Sequence, residues 1–431
     1  LRRQIGLVRL SGDDRNDRDL RLVQGSALDR LLSDKGLRSR MANTLADHAI
    51  KNELADGAKS SLTKLDQAFA EQKLPNNLDL QITGGQGASI ASMVGLTAQR
   101  GKVVLPVASW GAGTRRLAAL AIAEQNQGEN PITVVDEVER GLEPYRQHVL
   151  MEKLQSLSTQ VFVTTHSPSA LTAAATSALW YVDHAGNIGR LEGAVTDRHR
   201  ARDPELFLNR LAIVAEGATE RGAVLEIVER AMGGSLKPHG IHVCDGGGHE
   251  DTLQLLQALA KSGLTFGGFV DEEGRHGDSW SALKIKLGDL LFRWDFGCIE
   301  EEIITATPDD KLEQLIVDPT GERTGVRLYT LALRLGIQAK DFAALSEAAG
   351  GNLKQVIRAA ALGEVPEGRE GERRTYKSHS QSWFKTLAGG RELASKIWSL
   401  GLWPTFGPKL LPFCNAVRLA VGETSITDLP G

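Results

Sequence analysis

The stretch LAIVAEGATERGAVLEIVERA, residues 211–231, starts as an apolar run and turns acidic at Glu216, next to a glycine. A second stretch, FGGFVDEEG at residues 266–274, has the same form and turns acidic at Asp271. Short continuous apolar runs are typical of strands buried in a parallel sheet. The carboxyl ends of such strands share one edge, where gathered carboxylates repel each other unless cations lie between them. The two stretches therefore predict a metal centre, and its oxygen ligands favour Mg²⁺ or Mn²⁺.

The same pattern continues around these stretches and predicts an α/β fold with a parallel sheet flanked by helices. HGIHVCDGGG lies between them, LLFRWDFGCIEEEI follows them, and a segment of helical length separates each run from the next. Glu220 and Glu273 lie close in sequence to the two strand-end acids. If CIEEEII continues a strand, alternation places Glu300 and Glu302 on one face. We expect all four to join the strand-end acids as metal ligands.

A second alternation of strand and helix patterns lies upstream. LDLQITGG, KVVLPVASW, PITVVDEVE and TQVFVTTHS are typical of strands, and a helix is predicted from near Gly113 through TRRLAALAIAEQ. WYVDHAGNIGRLEG predicts a terminal hairpin, and the polar residues 196–205 predict a linker. Helical periodicity dominates beyond about residue 305, interrupted by a charged stretch at 364–377. The expected domains are 1–195, 206–305 and a C-terminal helical region, 306–431, packed on the second.

Composition narrows the class of protein. Lys and Arg total 50 and Asp and Glu total 54, and the net charge of −4 argues against a wholly basic nucleic-acid coat while permitting a local basic groove. The cysteines Cys244, Cys298 and Cys414 lack a CxxC spacing, which fits a reducing compartment and gives no zinc motif. No signal peptide or membrane-length apolar segment is recognisable. We expect a soluble, cytoplasmic protein with no membrane partner.

The order SWGAGTRRLAALAIA, ITVVDEVERGLEP, VFVTTHSP resembles the second half of an ABC-type ATPase head. The resemblance implies that Asp136 holds the water shell of Mg²⁺, Glu137 orients the attacking water and His166 reaches the γ-phosphate. The chain contains no GxxxxGKS or GxxxxGKT motif. We therefore expect the phosphate-cradling loop upstream of Leu1, and ATP binding and hydrolysis only in a longer protein.

The signature loop of such a head corresponds here to SWGAG, which departs from the usual LSGGQ. The resemblance implies that Ser109, Gly111 and Gly113 offer backbone N–H groups to a phosphate across a dimer interface. GLEP at 141–144 stands where the D-loop would meet the second subunit. A homodimer is the implied assembly.

VAEGATE, CDGGG and VDEE resemble the motifs of a Toprim domain, a metal-binding fold of topoisomerases, primases and some nucleases. An ABC-type head followed directly by Toprim is the arrangement of the OLD (overcoming lysogenization defect) nuclease family, and the class found beside a UvrD-like helicase is the nearer branch. The resemblance spans about 78–305 and implies two cations flanking a DNA phosphate. Glu216, Glu220 and Asp271 would then be catalytic, together with Glu273, which replaces the second Asp of the usual DxD.

A basic segment follows in the C-terminal region. Cations interleaved with aromatic rings suit a phosphate backbone and stacking on bases. Its members are Arg369, Arg373, Arg374, Tyr376, Lys377, His379, Trp383, Lys385 and Arg391. The OLD resemblance implies that a C-terminal lysine stabilises phosphate charge at the metal centre, and we expect Lys377 in that role.

These patterns together predict a metal-dependent DNA endonuclease or nickase regulated by an ABC-type ATPase, with a role in phage defence or DNA repair. Two alternatives stay open. A non-nucleolytic chromosome-maintenance ATPase would bind DNA with ATP and leave it intact. A primase-like nucleotidyl transferase would use the same metals for template-dependent synthesis.

Overall fold

A computed structural model describes residues 7–10, 20–23, 26–32, 34, 54–71, 74–82, 94–125, 132–157, 159–182, 186 and 188–429. The chain divides into two compact units, Leu1–Ser177 and Ala178–Gly431. The boundary lies before the predicted hairpin, so the hairpin belongs to the second unit and not to the first. None of the helices in these ranges is long and apolar enough to span a bilayer.

The first unit combines a parallel and an antiparallel sheet. Its described strands are β1 (Leu7–Leu10), β2 (Asn76–Ile82), β3 (Val94–Arg100), β4 (Val103–Pro106), β5 (Ile132–Val135) and β6 (Gln160–Val163). Strands β1, β5 and β6 pair in parallel in that order, whereas β2, β3 and β4 form an antiparallel sheet. Its described helices are α1 (Ala27–Leu32), α2 (Asp56–Glu71), α3 (Ala112–Gln125), α4 (Pro144–Ser156) and α5 (Pro168–Ala173).

Local sequence explains where these helices begin and what they bury. Helix α3 contains LAALAI, whose side chains from Leu117 to Ile122 are all buried, so this helix lies inside the unit. Helices α4 and α5 begin with proline, whose fixed φ suits the first helical turn, and the Ser167 side chain caps α5. The strands and the helix predicted for 102–167 are confirmed. Leucines that recur at three- and four-residue steps predict helices in residues 1–75; α1 and α2 agree with this, Leu7–Leu10 instead form β1, and the remainder falls partly outside the described residues.

The second unit opens with the predicted hairpin, β7 (Leu179–Val182) and β8 (Ile188–Leu191), which pair antiparallel. Most of the stretch predicted to be a linker, residues 196–202, is instead part of α6 (Ala194–Arg202), which buries Val195, His199 and Arg200, and a 3₁₀ turn, Pro204–Phe207, follows. The linker prediction is therefore wrong. Its polar composition was misleading because the buried His199 and Arg200 are themselves polar.

A four-stranded parallel sheet follows, as the sequence predicts. The elements are β9 (Leu211–Ala215), α7 (Ala218–Met232), β10 (Ile241–Asp245), α8 (His249–Ser262), β11 (Phe266–Val270), α9 (Gly277–Leu287) and β12 (Leu291–Arg293). The strand order is β10-β9-β11-β12. Every residue of β9 and β11 is buried, which accounts for their continuous apolar sequence. Glycine is needed in β11 because a Cβ at Gly267 would lie 2.6 Å from the Leu290 carbonyl oxygen.

Helices complete the unit and share one apolar core with the sheet. They are α10 (Ile299–Ala306), α11 (Leu312–Ile316), α12 (Thr324–Leu335), α13 (Phe342–Ala349), α14 (Leu353–Leu362), α15 (Arg373–Trp383), α16 (Leu387–Ser399) and α17 (Trp403–Ala420). Ile213 and Phe269 of the sheet belong to the same cluster as Leu393 and Phe413 of these helices. The charged interruption at 364–377 contains a 3₁₀ turn, Glu370–Glu372, and then the start of α15.

Candidate functional site

The strand-end acids of the second unit meet at one edge of its parallel sheet. Ala215 of β9 pairs with Phe269 of β11, so the residues that follow these strands emerge side by side. The Asp271 backbone N–H donates to Glu216 Oε2 at 3.2 Å. The structure thus brings together the two acids that the sequence singled out first.

Glu220 reaches the same place from the first turn of α7. It is 7% exposed, and burial, followed by the charge of Glu300, raises its pKa to about 8. Burial, followed by the charges of Glu220, Glu216 and Glu300, raises the pKa of Asp271 well above its usual range. Burial also raises the pKa of Glu216. Glu216, Glu220 and Asp271 therefore share one poorly hydrated region with Glu300, whose charge makes ionisation of Glu220 and Asp271 harder.

Glu300 joins this cluster from a helix and not from a strand. The strand predicted for CIEEEII is wrong, because Ile299 to Ala306 form α10, with Cys298 at its N-cap. Two positions that share a face in a strand lie about 200° apart around a helix. Glu300 is fully buried beside the Thr219 hydroxyl, which donates to its Oε1 at 3.4 Å.

Glu302 consequently has other partners. Its Oε1 accepts from the backbone N–H groups of Asp295 and Phe296 at 3.1 and 3.2 Å. Its Oε2 lies 3.7 Å from Lys409 Nζ. These bonds fix the loop before α10 and occupy the carboxylate, so Glu302 has a structural explanation that needs no metal. We retain Glu300 as a candidate ligand and set Glu302 aside.

The donor set of the cluster fits a divalent cation. Within the ranges that the structure describes, Asp271 Oδ1 and Glu300 Oε2 are buried without a hydrogen-bond partner. A buried carboxylate oxygen without a partner costs free energy, and hard cations such as Mg²⁺ take ligands of this type. Glu216, Glu220, Asp271 and Glu300 are the residues that would hold such ions.

A lysine does approach the cluster, but it is Lys385. Lys385 Nζ lies 3.4 Å from Glu300 Oε1. Burial lowers the pKa of Lys385, but the charges of Glu300, Glu220 and Asp271 outweigh this effect and raise it. Lys377, the residue expected in this role, is exposed on α15, and among the described residues no ion pair joins it to these acids. The expectation for Lys377 is therefore replaced by Lys385.

Glycines explain how the C-terminal region delivers Lys385. A Cβ at Gly222 of α7 would lie 2.0 Å from the Leu387 carbonyl oxygen, and a Cβ at Gly390 of α16 would lie 2.0 Å from that of Thr219. The backbones of the two helices approach this closely only because both positions lack a side chain. The glycine pair in LAGGRE, Gly389 and Gly390, was the sequence signal for this close contact between the two helices.

A buried ion pair fixes the segment just before Lys385. Arg327 is completely buried, and its guanidinium donates to both carboxylate oxygens of Glu392 at 2.6 and 2.7 Å. It also donates to the carbonyl oxygens of Ser382 and Trp383. Since Tyr376 and Trp383 are buried in this region, they cannot stack on bases as the sequence suggested.

A second group of possible ligands adjoins the first through Glu216. His249 Nδ1 lies 3.5 Å from Glu216 Oε2 and 3.8 Å from Glu273 Oε2. One ligand atom from each of these three residues lies within 4.8 Å of the others. Glu273 thus lies at the edge that the sequence predicted, on its exposed side. His249 was missed, although its place directly after the glycines of CDGGG marks a tight turn beside the candidate metal ligands.

The residues predicted for the nucleotide site lie at the ends of β5 and β6 in the first unit. The Thr164 hydroxyl donates to Asp136 Oδ1 at 2.6 Å and accepts from the Glu137 N–H at 2.9 Å. The Thr165 hydroxyl and the His166 N–H both donate to Glu139, at 2.6 and 2.8 Å. These bonds join the DEVE and TTHS loops in a single polar network. Glu137 has a φ of 48°, a left-handed conformation that is uncommon for a residue other than glycine.

The loop predicted to contact a phosphate packs against the GLEP turn of its own chain. A Cβ at Gly113 would lie 2.1 Å from the Gly141 carbonyl oxygen, so only glycine fits where α3 begins. The Ser109 hydroxyl donates to the Pro106 carbonyl oxygen at 2.7 Å. Gly111 is exposed. Phosphate binding by Ser109, Gly111 and Gly113 stays a prediction.

A comparison with known protein families finds a match within the first unit. Residues 7–172 match a family model described as "AAA domain, putative AbiEii toxin, Type IV TA system". The match covers less than half of the chain and includes Asp136, Glu137 and His166. It supports an ATPase head of the ABC/AAA type, which uses nucleotide and Mg²⁺. A search of curated proteins finds no match for the chain.

Proposed function

We propose that the second unit is a Toprim-type, metal-dependent nuclease that hydrolyses phosphodiester bonds of DNA. One observation carries the proposal: Asp271 and Glu300 place buried oxygens, unpartnered in the described structure, beside the carboxylates of Glu216 and Glu220. Acids of this number and burial, with a lysine beside them, suit two cations and a phosphate. The parallel sheet, with acids directly after β9 and β11, supports the Toprim resemblance.

The roles follow from the chemistry of each side chain. Cations bound here would lower the pKa of an attacking water and stabilise the leaving 3′ oxygen. Glu216, Glu220, Asp271 and Glu300 would hold them. Glu220 could alternatively accept the proton of the water as a general base, since its buried carboxyl group belongs to the same cluster. Lys385 would stabilise negative charge on the phosphate.

The ATPase head supports an assembly in which nucleotide regulates the nuclease. ABC-type heads bind nucleotide between two subunits, so we infer a homodimer. DNA is the expected substrate, and a UvrD-like helicase is a candidate partner through the OLD resemblance. The description of the matched family model names a putative toxin of a Type IV toxin–antitoxin system, and both phage defence and DNA repair stay proposed roles.

The test is cleavage of supercoiled plasmid by the chain. We expect nicked and then linear DNA with Mg²⁺ or Mn²⁺, and intact DNA with EDTA. Glu216→Gln should abolish cleavage, because the metals lose a ligand that lies between both groups of donors. Glu367→Gln, which changes an exposed acid, is the matched control and should keep full activity.

The same assay separates the alternatives. Full activity of Glu216→Gln would rule out the nuclease centre. Binding of DNA with ATP and no cleavage under any metal would favour the maintenance ATPase. Template-dependent incorporation of nucleotides would favour the nucleotidyl transferase.

A further inference from the structure

We propose that His249 is a metal ligand together with Glu216 and Glu273, and that its nitrogen makes this position prefer Mn²⁺ to Mg²⁺. The inference rests on the proposed function for the presence of a metal centre at this sheet edge. It goes further by assigning a ligand outside the acidic cluster and a preference for one class of cation.

The spacing of the three side chains suits an ion better than hydrogen bonds. The distances from His249 Nδ1 to Glu216 Oε2 and Glu273 Oε2, 3.5 and 3.8 Å, are too long for good hydrogen bonds. Ligands about 2.0–2.3 Å from one cation lie at most about 4.6 Å apart. The three ligand atoms lie within 4.8 Å of one another, so a small inward movement of the side chains suffices to bring them to one cation.

The imidazole of His249 is deeply buried. Its side chain is only 6% exposed, and in the described parts of the chain neither ring nitrogen has a hydrogen-bond partner. Leaving a buried polar atom unsatisfied costs about 1–3 kcal/mol, so such an atom needs an explanation. A cation at Nδ1 supplies one, because a neutral imidazole offers a lone pair at one nitrogen.

The backbone holds His249 beside Glu216. The Gly246 N–H donates to the Ala215 carbonyl oxygen at 2.7 Å, and the Gly248 N–H donates to that of Glu216 at 2.9 Å. Gly248 has a φ of 101°, which other residues rarely adopt. His249 is the first residue of α8, so this glycine turn sets the position of its side chain directly.

Neighbouring rings restrict the imidazole from the other side. The ring of Trp280 lies 5.5 Å from that of His249, edge to face, and the ring of His276 lies 6.0 Å away. Trp280 is itself buried. A ligand held this way loses little conformational freedom when a metal binds.

The chemistry of the donors gives the cation preference. Mg²⁺ binds oxygen ligands and water almost exclusively, whereas imidazole suits first-row transition metals. Glu216, Glu273 and His249 offer two oxygens and one nitrogen. Glu220, Asp271 and Glu300 offer oxygens alone. The two groups should therefore differ in preference, with the mixed group selecting Mn²⁺.

The experiment detects the nitrogen directly. One equivalent of Mn²⁺ is added to the metal-free chain, and electron spin echo envelope modulation is recorded for ¹⁴N coupled to the manganese. We expect ¹⁴N modulation in the wild type, its loss in His249→Asp, and its retention in His276→Asn. His276 is a matched control because it is the neighbouring histidine and its left-handed φ of 55° is tolerated by Asn.

Competition between metals tests the preference. Mg²⁺ should displace Mn²⁺ from His249→Asp at concentrations about tenfold lower than from the wild type, since Asp makes the group all-oxygen. Three results would overturn the inference. They are a Mn²⁺ signal without ¹⁴N modulation in the wild type, no binding of Mn²⁺ to the wild type, and a folded His249→Asp from which Mg²⁺ displaces Mn²⁺ at the same concentration as from the wild type.

The outcome is distinct from that of the plasmid assay. A wild type with ¹⁴N modulation that leaves plasmid intact would remove the nuclease function and keep the ligand assignment. Nicking without ¹⁴N modulation would keep the nuclease function and remove the ligand assignment. If His249→Asp does not fold, the wild-type spectrum still decides whether an imidazole binds the metal.

Discussion

Both units place acids at the ends of parallel strands, but they treat those acids differently. In the first unit, Asp136 accepts from the Thr164 hydroxyl and Glu139 from Thr165 and His166. In the second unit, Asp271 Oδ1 and Glu300 Oε2 are buried with no partner among the described residues. The acids of the first unit thus accept hydrogen bonds from protein groups, whereas two carboxylate oxygens of the second unit have none from the described residues.

Whether an acidic strand end needs a cation depends on its burial and on its hydrogen-bond partners. A carboxylate that accepts from hydroxyls or N–H groups can stay ionised without a cation, because those bonds stabilise its charge. Carboxylates that are buried together destabilise one another until protons or cations neutralise them. Burial and the lack of partners among the described residues, more than the count of acids, therefore make the second unit the stronger candidate for a metal centre.

Replacing Asp271 should give the largest effect and should act in opposite directions on activity and stability. Asp271→Asn should lower plasmid nicking by more than about 100-fold, since loss even of an outer partner of a metal ligand costs about 10- to 100-fold. In EDTA the same variant should be more stable by about 1 kcal/mol, because the amide removes repulsion among four acids. Calorimetry should show the unfolding transition rising by about 2–4 °C.

The matched variant in the first unit is Asp136→Asn. Its amide oxygen can still accept from Thr164, so we expect no gain in stability in EDTA. Equal gains in both variants would show that the two acidic strand ends do not differ. If Asp271→Asn is instead less stable than the wild type in EDTA, groups of the protein itself already neutralise the charge of the acidic cluster without a cation.

Replacing Lys385 should have the next largest effect. Lys385→Met should lower the kcat of nicking by about 100-fold, because removing one donor that stabilises developing charge costs about that much. Binding of Mn²⁺ should be retained, since Lys385 is not a ligand. Lys385→Arg should restore part of the rate through its positive charge.

Lys377→Met is the control for this prediction. Lys377 is exposed on the helix before Lys385, so the substitution removes an equal charge from the same region of sequence. We expect activity within about twofold of the wild type, as for most surface substitutions. A larger loss in Lys377→Met than in Lys385→Met would reverse the assignment of the two lysines.

Sequence reasoning predicted the parts of the fold that depend on local pattern. The runs at β9 and β11 are continuous because both faces of the sheet are covered, and their ends carry Glu216 and Asp271. The ATPase-type order around Asp136 and His166 likewise rests on short motifs. Patterns of this kind can be read without knowing what packs against them.

What sequence reasoning missed depends on tertiary contacts. Glu300 lies on a helix because Cys298 and Glu301 cap α10, and the three consecutive acids conceal that change of period. Lys385 reaches the site only because Gly222 and Gly390 let two helices approach closely. Lys377 has the same charge and a similar place in the sequence, so no local pattern distinguishes the two lysines.

The final prediction concerns stability alone, through its dependence on pH. The pKa of Glu220 is about 8 in the folded protein, above its usual value of 4.5. Between these two pH values the unfolded chain loses this proton and the folded chain keeps it, so stability contributed by protonated Glu220 falls as pH rises. In EDTA, Glu220→Gln should escape this loss, and its advantage over the wild type should grow from pH 4.5 to 8. Calorimetry across this range measures the difference, which should be on the order of a few kcal/mol at most.

Metal supplies the internal control for that measurement. With saturating Mg²⁺ or Mn²⁺, the cations favour the ionised carboxylates, so the wild type should lose its disadvantage at pH 8. Glu367→Gln, at an exposed acid, should show a difference from the wild type that does not change with pH. The same flat profile for Glu220→Gln in EDTA would mean that Glu220 ionises freely in the folded protein. The contrast between the acids of the two units would then have to rest on Asp271 and Glu300 alone.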